Sequence, residues 1–319
     1  MQALRPMLAT VGDHVPTGPE WTHEVKWDGV RALAFVDAGA VELRSRNDNR
    51  ITAAWPELLS APGPGRWVLD GEIIALNERG VPDFRVLAER IHLRKAAAVA
   101  RYAARTPATF MVFDVLAIGE EDLTASPQSE RRRRLEDLDL ARSGWQVPPA
   151  YDDGPMLHAA TREQGLEGIV SKRVGGRYRP GERSRGWLKF AHRHRGSYVV
   201  GGWRPQVGTR DRLAALLVGE PTSEGLRYRG RVGSGIGPRQ SRLLAELVAG
   251  LARGTSPFAD EVPRVDADGA RWIDPVLVVD VDTHGVGYER LRQPSFQVVR
   301  QDLGVADLLA GTTEGSDDE

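Results

Sequence analysis

The sequence contains no cysteine and very little lysine. The absence of cysteine among 319 residues excludes disulfides, thiol nucleophiles and cysteine-ligated zinc. No early apolar run resembles a signal peptide, and no apolar stretch is long enough to span a bilayer, so we expect a cytoplasmic protein without membrane contact. The length suggests two domains, each with enough chain to bury its own core.

Lysine is rare while arginine is abundant. The chain has 43 lysines and arginines, of which four are lysine and the other 39 are arginine. Arginine stays protonated and cannot act as a nucleophile, so the remaining lysines mark positions where arginine could fail. These residues are Lys26, Lys95, Lys172 and Lys189.

The formal net charge of −1 does not by itself exclude nucleic-acid binding. The stretch 311–319 carries four acidic residues, and setting them aside changes the net charge to +3. The distribution of charge matters more than the sum, and the arginines are clustered, so a basic groove remains compatible with this composition. We expect 311–319 to be a disordered acidic tail.

The segment around Lys26 has the pattern Lys-x-Asp-Gly-x-Arg. A lysine amine can attack the α-phosphorus of a nucleoside triphosphate and form a covalent lysyl-nucleotide. Gly29 would let the backbone approach a phosphate, and Arg31 can hold a phosphate or carboxylate through two parallel hydrogen bonds. A strand with a solvated charged edge that turns at Asp28 and Gly29 explains the same residues.

Three acidic residues are candidates for nucleotide or metal contacts. Asp70 and Glu72 lie two apart in a predicted strand and point to the same face, which favours a ribose contact or a place near a metal. Glu167 precedes the apolar run 169–170, and its hard oxygen donors suit Mg²⁺. Alternatively, Glu167 and Gly168 are simply the residues at which a helix ends.

Several further residues have both a functional and a structural interpretation. Arg46 either binds a phosphate or is a surface arginine, and Phe113 either stacks on a purine or belongs to a core strand. Lys189 is a phosphate-binding cation or a strand-edge lysine whose stem covers apolar surface. A group near the C-terminus could clamp a triphosphate or a nucleic-acid backbone, or be solvated: Arg290, Arg292 and Arg300.

Periodicity predicts an α+β chain of two domains. Alternating strands are expected at 32–36, 41–44, 67–69, 73–76, 109–116 and 168–171. Helices are expected at 84–100 with Asp83 as N-cap, at 129–142 with four arginines on a solvated face, and at 157–164. After a basic hinge at 191–196, predicted strands at 197–203, 213–218, 226–232 and 276–281 and a helix at 238–253 suggest a small OB-type barrel.

The order of these motifs carries a resemblance that covers nearly the whole chain. Lys-x-Asp-Gly-x-Arg, Ser-Arg-Asn, Asp-Gly-Glu, Phe-Asp-Val-Leu, Glu-Gly-Ile-Val, Trp-x-Lys and Arg-x-Asp occur in sequence at residues 26, 46, 70, 113, 167, 189 and 300. The sequence resembles the covalent nucleotidyltransferases and, among them, the ATP-dependent DNA ligases. It is most similar to the ligase modules of bacterial end-joining proteins, which also begin near a segment like 6–9.

The resemblance implies an antiparallel-sheet adenylation domain at 1–190 and an OB-fold domain at 197–310. It implies that Lys26 is the adenylated nucleophile and that Glu167 and Glu72 bind metal. The implied ATP or AMP contacts are Glu24 to adenine, Arg31 and Arg46 to the nucleotide and the nick 5′-phosphate, Glu72 to ribose, Phe113 to the base, Lys189 to the α-phosphate and Arg300 to the pyrophosphate. The implied supporting residues are Asp28, Asp70, Lys172 and Arg292.

The resemblance also implies a monomer that uses ATP with Mg²⁺ or Mn²⁺ to seal nicked duplex DNA through a lysyl-AMP intermediate. The setting would be repair or end joining at the nucleoid, with a Ku-like end-binding protein and separate polymerase and nuclease proteins as partners. Two other functions stay open at this point: an RNA ligase or capping-type nucleotidyltransferase, and a degenerate nick-binding protein with weak self-adenylation.

Two positions depart from the pattern of the family. Ala191 stands where Trp-x-Lys-x-Lys has its second lysine, and Leu303 stands where Arg-x-Asp-Lys has its lysine. Both changes remove a cation from the triphosphate. We expect slower adenylation, or partial substitution by His192 and Arg193.

Overall fold

The computed structural model describes residues 4–60, 63–93, 95–141, 144–209, 212–285 and 288–313, and its contacts divide the chain into two units. Unit 1 comprises Met1–His192 and unit 2 comprises Arg193–Glu319. The division falls inside the predicted hinge at 191–196, whose movement stays a prediction.

Unit 1 contains two sheets. The strands of the larger sheet are β3 (Val30–Asp37), β4 (Ala40–Ser45), β5 (Trp67–Ile74), β6 (Thr109–Ile118), β7 (Glu121–Asp122) and β8 (Trp145–Gln146). The strands of the smaller sheet are β1 (Leu8–Val11), β2 (Trp21–Val25), β9 (Gly168–Arg173) and β10 (Arg183–Ala191). The strand orders are β4-β3-β5-β6-β7, with β8 beside β6, and β1-β10-β9-β2.

The larger sheet is apolar on both faces because its strands alternate between two cores. On β3, Ala32 and Ala34 face a core that contains Trp55 and Phe110. Leu33 and Phe35 face the opposite core, where they pack with Leu116 and with three residues outside the larger sheet, namely Met7, Tyr178 and Trp187. Because Trp187 lies on β10, this second core joins the two sheets.

The helices of unit 1 differ in extent from those predicted. They are α1 (Arg85–Ala88), α2 (Ala96–Arg105), α3 (Gln128–Glu136) and α4 (Gly154–Glu163). The single helix predicted at 84–100 is wrong: a 3-10 turn at Arg90–His92 separates α1 from α2. The buried Arg90 in that turn donates from Nε to the Ala54 carbonyl at 2.7 Å and pairs with Glu57, so the turn is fixed by partners from earlier in the chain. Asp83 does accept the backbone N–H of Arg85, at 2.8 Å.

Charged residues explain two further differences between the predicted and the observed structure of unit 1. The runs predicted at 67–69 and 73–76 form the single strand β5, because Asp70 and Glu72 keep their pairing with Leu33 and Arg31 on β3. The arginines of α3 do not share a solvated face. Arg131 is fully buried, where it forms a bidentate ion pair with Asp114 at 2.7 and 2.9 Å.

Unit 2 is a five-stranded antiparallel barrel with the order β13-β12-β11-β14-β15. Its strands are β11 (His194–Pro205), β12 (Leu213–Thr222), β13 (Gly225–Val232), β14 (Arg271–Thr283) and β15 (Ser295–Arg300), and its helices are α5 (Pro238–Val248), α6 (Arg264–Ala267) and α7 (Val305–Thr313). A bridge between Ser234 and Ser295 connects the two ends of the sheet. The predicted OB fold is therefore confirmed, while β15 was not predicted from the sequence.

Helix α7 extends into the stretch that was predicted to be a tail. It covers 311–313, whereas 314–319 lie outside the described residues. Within the described residues, no helix is long and apolar enough to span a membrane.

The buried Arg131–Asp114 pair generates a stability prediction. Asp114→Ala leaves a guanidinium in the core with only the carbonyls of Ser126 and Gly176 as partners, so we expect a loss of about 3–5 kcal/mol in the free energy of unfolding. Urea unfolding followed by circular dichroism measures this loss. Glu130→Ala on the exposed side of α3 is the control and should leave the midpoint nearly unchanged. Equal effects of the two variants would contradict the assignment.

Candidate active site

Lys26 directly follows β2 of the smaller sheet. Its backbone N–H donates to the Gly168 carbonyl at 2.8 Å, which fixes the start of the loop against β9. Its Nζ lies 2.5 Å from Glu167 Oε1, and the two side chains are 23% and 18% exposed. The amine is therefore held by a carboxylate, on a side chain that remains partly exposed.

Two other residues of the Lys26 motif have structural tasks. An added Cβ on Gly29 would lie 2.2 Å from the Ile73 carbonyl oxygen, so glycine is required by the close approach of β5. The close approach of the backbone to a phosphate at Gly29 stays a prediction. Asp28 accepts the Phe84 backbone N–H at 3.3 Å and so anchors the loop to the segment before α1.

Arg31 is oriented by a buried hydrogen-bond network. Its Nε and Nη2 donate to the two oxygens of Asp70 at 2.6 and 2.7 Å, and Asp70 is fully buried. The Tyr178 hydroxyl donates to Asp70 Oδ2 at 2.5 Å and accepts the Met7 backbone N–H at 2.9 Å. Asp70 therefore holds Arg31 in place, and its oxygens are not available for the ribose contact that the sequence favoured.

A second buried pair lies beneath the site. Glu24 is 2% exposed, and its Oε2 lies 2.7 Å from Lys172 Nζ. Lys172 also donates to the Phe113 carbonyl at 2.8 Å. Burial lowers the pKa of Lys172, while the charge of Glu24 opposes that shift. The predicted adenine contact of Glu24 stays a prediction, because its carboxylate is engaged with Lys172 here.

The Phe113 ring is partly exposed and lies close to two cations. The Arg31 guanidinium carbon is 4.6 Å and Lys172 Nζ is 4.7 Å from the ring centroid. Trp187 packs edge-on at 6.0 Å between centroids. Phe113 thus belongs to the second core of unit 1, and its stacking on a base stays a prediction.

The remaining charges surround Lys26. Burial is the main cause that raises the pKa of Glu72 to about 8; the charge of Glu167 adds to this, while Arg31 and Lys26 oppose it. The pKa of Lys189 is lowered by burial and then by the charges of Lys26 and Arg183, with a smaller contribution from Arg46. One electrostatically coupled group therefore comprises Lys26, Arg46, Glu72, Glu167, Arg183 and Lys189.

Arg183 was not predicted from the sequence. It lies on the same strand, β10, as Lys189, and its charge contributes to the shifted pKa of that lysine. The sequence signal that could have identified Arg183 was its position shortly before the Trp-x-Lys motif, within the same strand.

His192 does not replace the missing second lysine. Its ring is 8% exposed, its Nε2 is 2.9 Å from Thr161 Oγ1, and it packs against His158 at 4.4 Å between centroids. Position 191 therefore carries no cation, and the imidazole of the neighbouring His192 is buried.

Two predicted site residues lie in unit 2. Arg300 contacts Asp280 and Asp302, and Arg292 donates from Nη1 to the Tyr288 hydroxyl at 2.6 Å. Their contacts with a nucleotide stay predictions.

A lysine held by a carboxylate beside two mostly antiparallel sheets, in a chain that continues into an OB barrel, is the arrangement expected of a covalent nucleotidyltransferase. Family models agree: one described as "ATP dependent DNA ligase domain" matches residues 6–190, and one described as "ATP dependent DNA ligase C terminal region" matches residues 209–303. The chain belongs to the ATP-dependent DNA ligases. The predicted family, fold class and nucleotide are thereby confirmed, and an RNA ligase or capping enzyme is not favoured.

Similar proteins include multifunctional end-joining enzymes and independent ligases. The multifunctional non-homologous end joining DNA repair protein LigD of Mycobacterium tuberculosis is 36% identical over 312 residues, which is 96% of this chain and 40% of the relative. DNA ligase C of the same species is 36% identical over 260 residues, 77% of this chain and 71% of the relative. The chain thus spans about two fifths of the length of LigD.

Solved structures agree. A mycobacterial DNA ligase D complexed with ATP and MES is 35% identical to this chain with a TM-score of 0.56, and the match covers 95% of this chain and 97% of that chain.

The raised pKa of Glu72 predicts a pH dependence. Because its pKa is about 8 in the folded protein, the folded state retains a proton that the unfolded state has already lost above about pH 4.5. The free energy of unfolding of the wild-type protein should therefore fall as the pH rises from about 5 to 8. The free energy of unfolding of the Glu72→Gln variant should fall less over that range. Urea midpoints across this range, compared with Glu78→Gln at an exposed position, measure the difference. A wild-type pH dependence that Glu72→Gln retains would contradict this assignment.

Proposed function

We propose that the protein seals nicks between a 5′-phosphate and a 3′-hydroxyl in duplex DNA through a lysyl-AMP intermediate on Lys26. The observation that carries the proposal is the contact of Lys26 Nζ with Glu167 at 2.5 Å, inside a group of charges that includes Glu72 and Lys189. The proposal is also supported by the membership of the chain in the ligase family.

The first step is the attack of Lys26 Nζ on the α-phosphorus of ATP. The N–P bond forms, the bond to pyrophosphate breaks, and the ammonium proton has to leave. An ordinary lysine carries a free amine in only about one molecule in a thousand at neutral pH. Glu167 is the carboxylate in position to hold that proton, and Lys189 supplies positive charge for the phosphate.

The second and third steps transfer AMP to the nick 5′-phosphate and then expel it when the 3′-hydroxyl attacks. Both are in-line displacements at phosphorus, so positioning and charge neutralisation dominate. Arg31, fixed by Asp70, and Arg46 are the cations that would hold these phosphates. Arg300 would orient the departing pyrophosphate in the first step only.

Glu72 and Glu167 suit a divalent cation. Carboxylate oxygens are hard donors, and Mg²⁺ or Mn²⁺ would offset both the burial that mainly raises the pKa of Glu72 and the smaller contribution from the charge of Glu167. Within the described part of the chain, no group of three or more acidic or histidine side chains could hold a metal alone, so phosphate oxygens would complete its ligand set. A bound cation would supply charge neutralisation at the phosphates.

The cellular setting is inferred from the relatives. The printed name of LigD describes a multifunctional end-joining repair protein, and this chain matches its ligase part. We infer that the protein acts in end joining on chromosomal DNA in the cytoplasm, as a monomer. A Ku-like end-binding protein and separate polymerase and nuclease proteins would be its partners.

Labelled ATP tests the covalent intermediate. After incubation with Mg²⁺ and denaturing electrophoresis, the wild-type band should carry the label from ATP and not from GTP. Lys26→Ala should lose it because the amine that would form the N–P bond is removed. Lys95→Ala at an exposed position should retain it. A labelled Lys26→Ala band, or nick binding without any label in the wild type, would exclude the proposed intermediate.

Ala191 offers a gain-of-function test. Ala191→Lys restores the cation that the family pattern has at this position, so lysyl-AMP should form roughly tenfold faster, as expected for one added charge-assisted hydrogen bond. Ala191→Gln is the uncharged control. An unchanged rate in Ala191→Lys would show that the departure at this position has no catalytic effect.

A further inference from the structure

Asp280 is a buried carboxylate in the middle of β14. Its side chain is 8% exposed, and its Oδ1 accepts a hydrogen bond from Ser197 Oγ on β11 at 2.6 Å. A buried carboxylate is costly unless it is hydrogen-bonded and paired with a cation. Such a group between two barrel strands therefore indicates a specific charge partner.

Arg300 at the end of β15 is that partner. Its Nη1 lies 3.3 Å from both oxygens of Asp280. Its opposite edge donates to Asp302, from Nε at 2.8 Å and from Nη2 at 2.6 Å. The guanidinium is thus held between two carboxylates of the same unit.

The two carboxylates differ in their access to solvent. Asp302 is 67% exposed and lies just beyond the strand, whereas Asp280 is 8% exposed and is held by the hydrogen bond from Ser197. The hydrogen bonds of Arg300 hold the pKa of Asp302 at about 2, so Asp302 is an anion at neutral pH. A phosphate can present two oxygens to the same edge of a guanidinium in the same bidentate geometry.

We propose that Asp280 is a positioning residue for lysine adenylation, which fixes Arg300 so that its Nε–Nη2 edge can exchange Asp302 for a phosphate of ATP. This inference rests on the proposed function, in which Arg300 orients the pyrophosphate. Asp280 touches neither the nucleotide nor the DNA and acts only through Arg300. Its effect is therefore limited to the step in which a triphosphate is present.

Asp280→Asn is the decisive substitution, because asparagine keeps the size of the side chain and an acceptor for Ser197 but removes the charge. We expect the single-turnover rate of lysyl-AMP formation to fall on the order of ten- to a hundredfold, as misplacement of a reacting group does. Sealing of a chemically pre-adenylated nick by AMP-free enzyme involves no triphosphate and should stay within about twofold of wild type.

Asp282→Asn is the matched control. Asp282 lies two residues along β14 and pairs with the exposed Arg195 at 2.8 Å, so its loss should leave both rates within about twofold of wild type. Ser197→Ala keeps the charge of Asp280 but removes its support, and should slow lysyl-AMP formation to a smaller extent. This second variant decides the matter if Asp280→Asn does not fold.

A double-mutant cycle separates positioning from stability. If Asp280 acts through Arg300, Arg300→Gln and the double variant Asp280→Asn/Arg300→Gln should form lysyl-AMP at equal rates. Additive losses, equal losses in both assays for Asp280→Asn, or no loss at all would each overturn the inference. A wild-type protein that forms no lysyl-AMP would instead refute the proposed function itself.

Discussion

The contact between the Lys26 amine and the Glu167 carboxylate is the interaction on which the rest of unit 1 depends. A lysine in this position needs an acceptor for its proton and cations nearby for the phosphate, and these requirements oppose each other electrostatically. The fold places Glu72 and Glu167 with Lys189 around the same point, where burial and mutual repulsion raise the pKa of Glu72 to about 8. Such a group is costly alone and would be balanced by the nucleotide and the cation that we propose it binds.

Buried ion pairs keep the functional side chains in single orientations. Arg31 is fixed by Asp70 and Tyr178, and Lys172 is fixed by Glu24. Buried pairs are weak evidence for net stability, because desolvation offsets most of their attraction. Their value here is geometric, since phosphoryl transfer depends on the placement of charge more than on covalent help from the protein.

The same device occurs in unit 2 with a different consequence. The buried Asp280 holds one edge of Arg300, while the exposed Asp302 occupies the other edge. An interaction with one fixed and one exchangeable partner allows a cation to be oriented before its ligand arrives. Each unit has its own core and its own charge network, which suits a reaction whose successive steps need different contacts.

The sequence by itself determined the family and the fold class, and it predicted the order of the domains and Lys26 as the nucleophile. Alternating apolar residues predicted most strands, because strand periodicity is a local property of the chain. The motif around Lys26 was informative because nearly all the basic residues of this chain are arginines. A lysine at that spacing therefore has few structural explanations. The position of Lys26 beside Glu167 and the OB topology after residue 193 agree with these expectations.

Only the tertiary structure decided what the charged residues contact. Arg131 looked like part of a solvated helix face, yet it is buried because Asp114 on β6 lies opposite it. Asp70 was predicted to contact ribose or to lie near a metal, but in the structure it pairs with Arg31. Arg183 was not predicted as a site residue, but in the folded protein its charge lowers the pKa of Lys189. The physical reason is that periodicity reports which face of an element is apolar, whereas the role of a charge depends on partners that are distant in sequence.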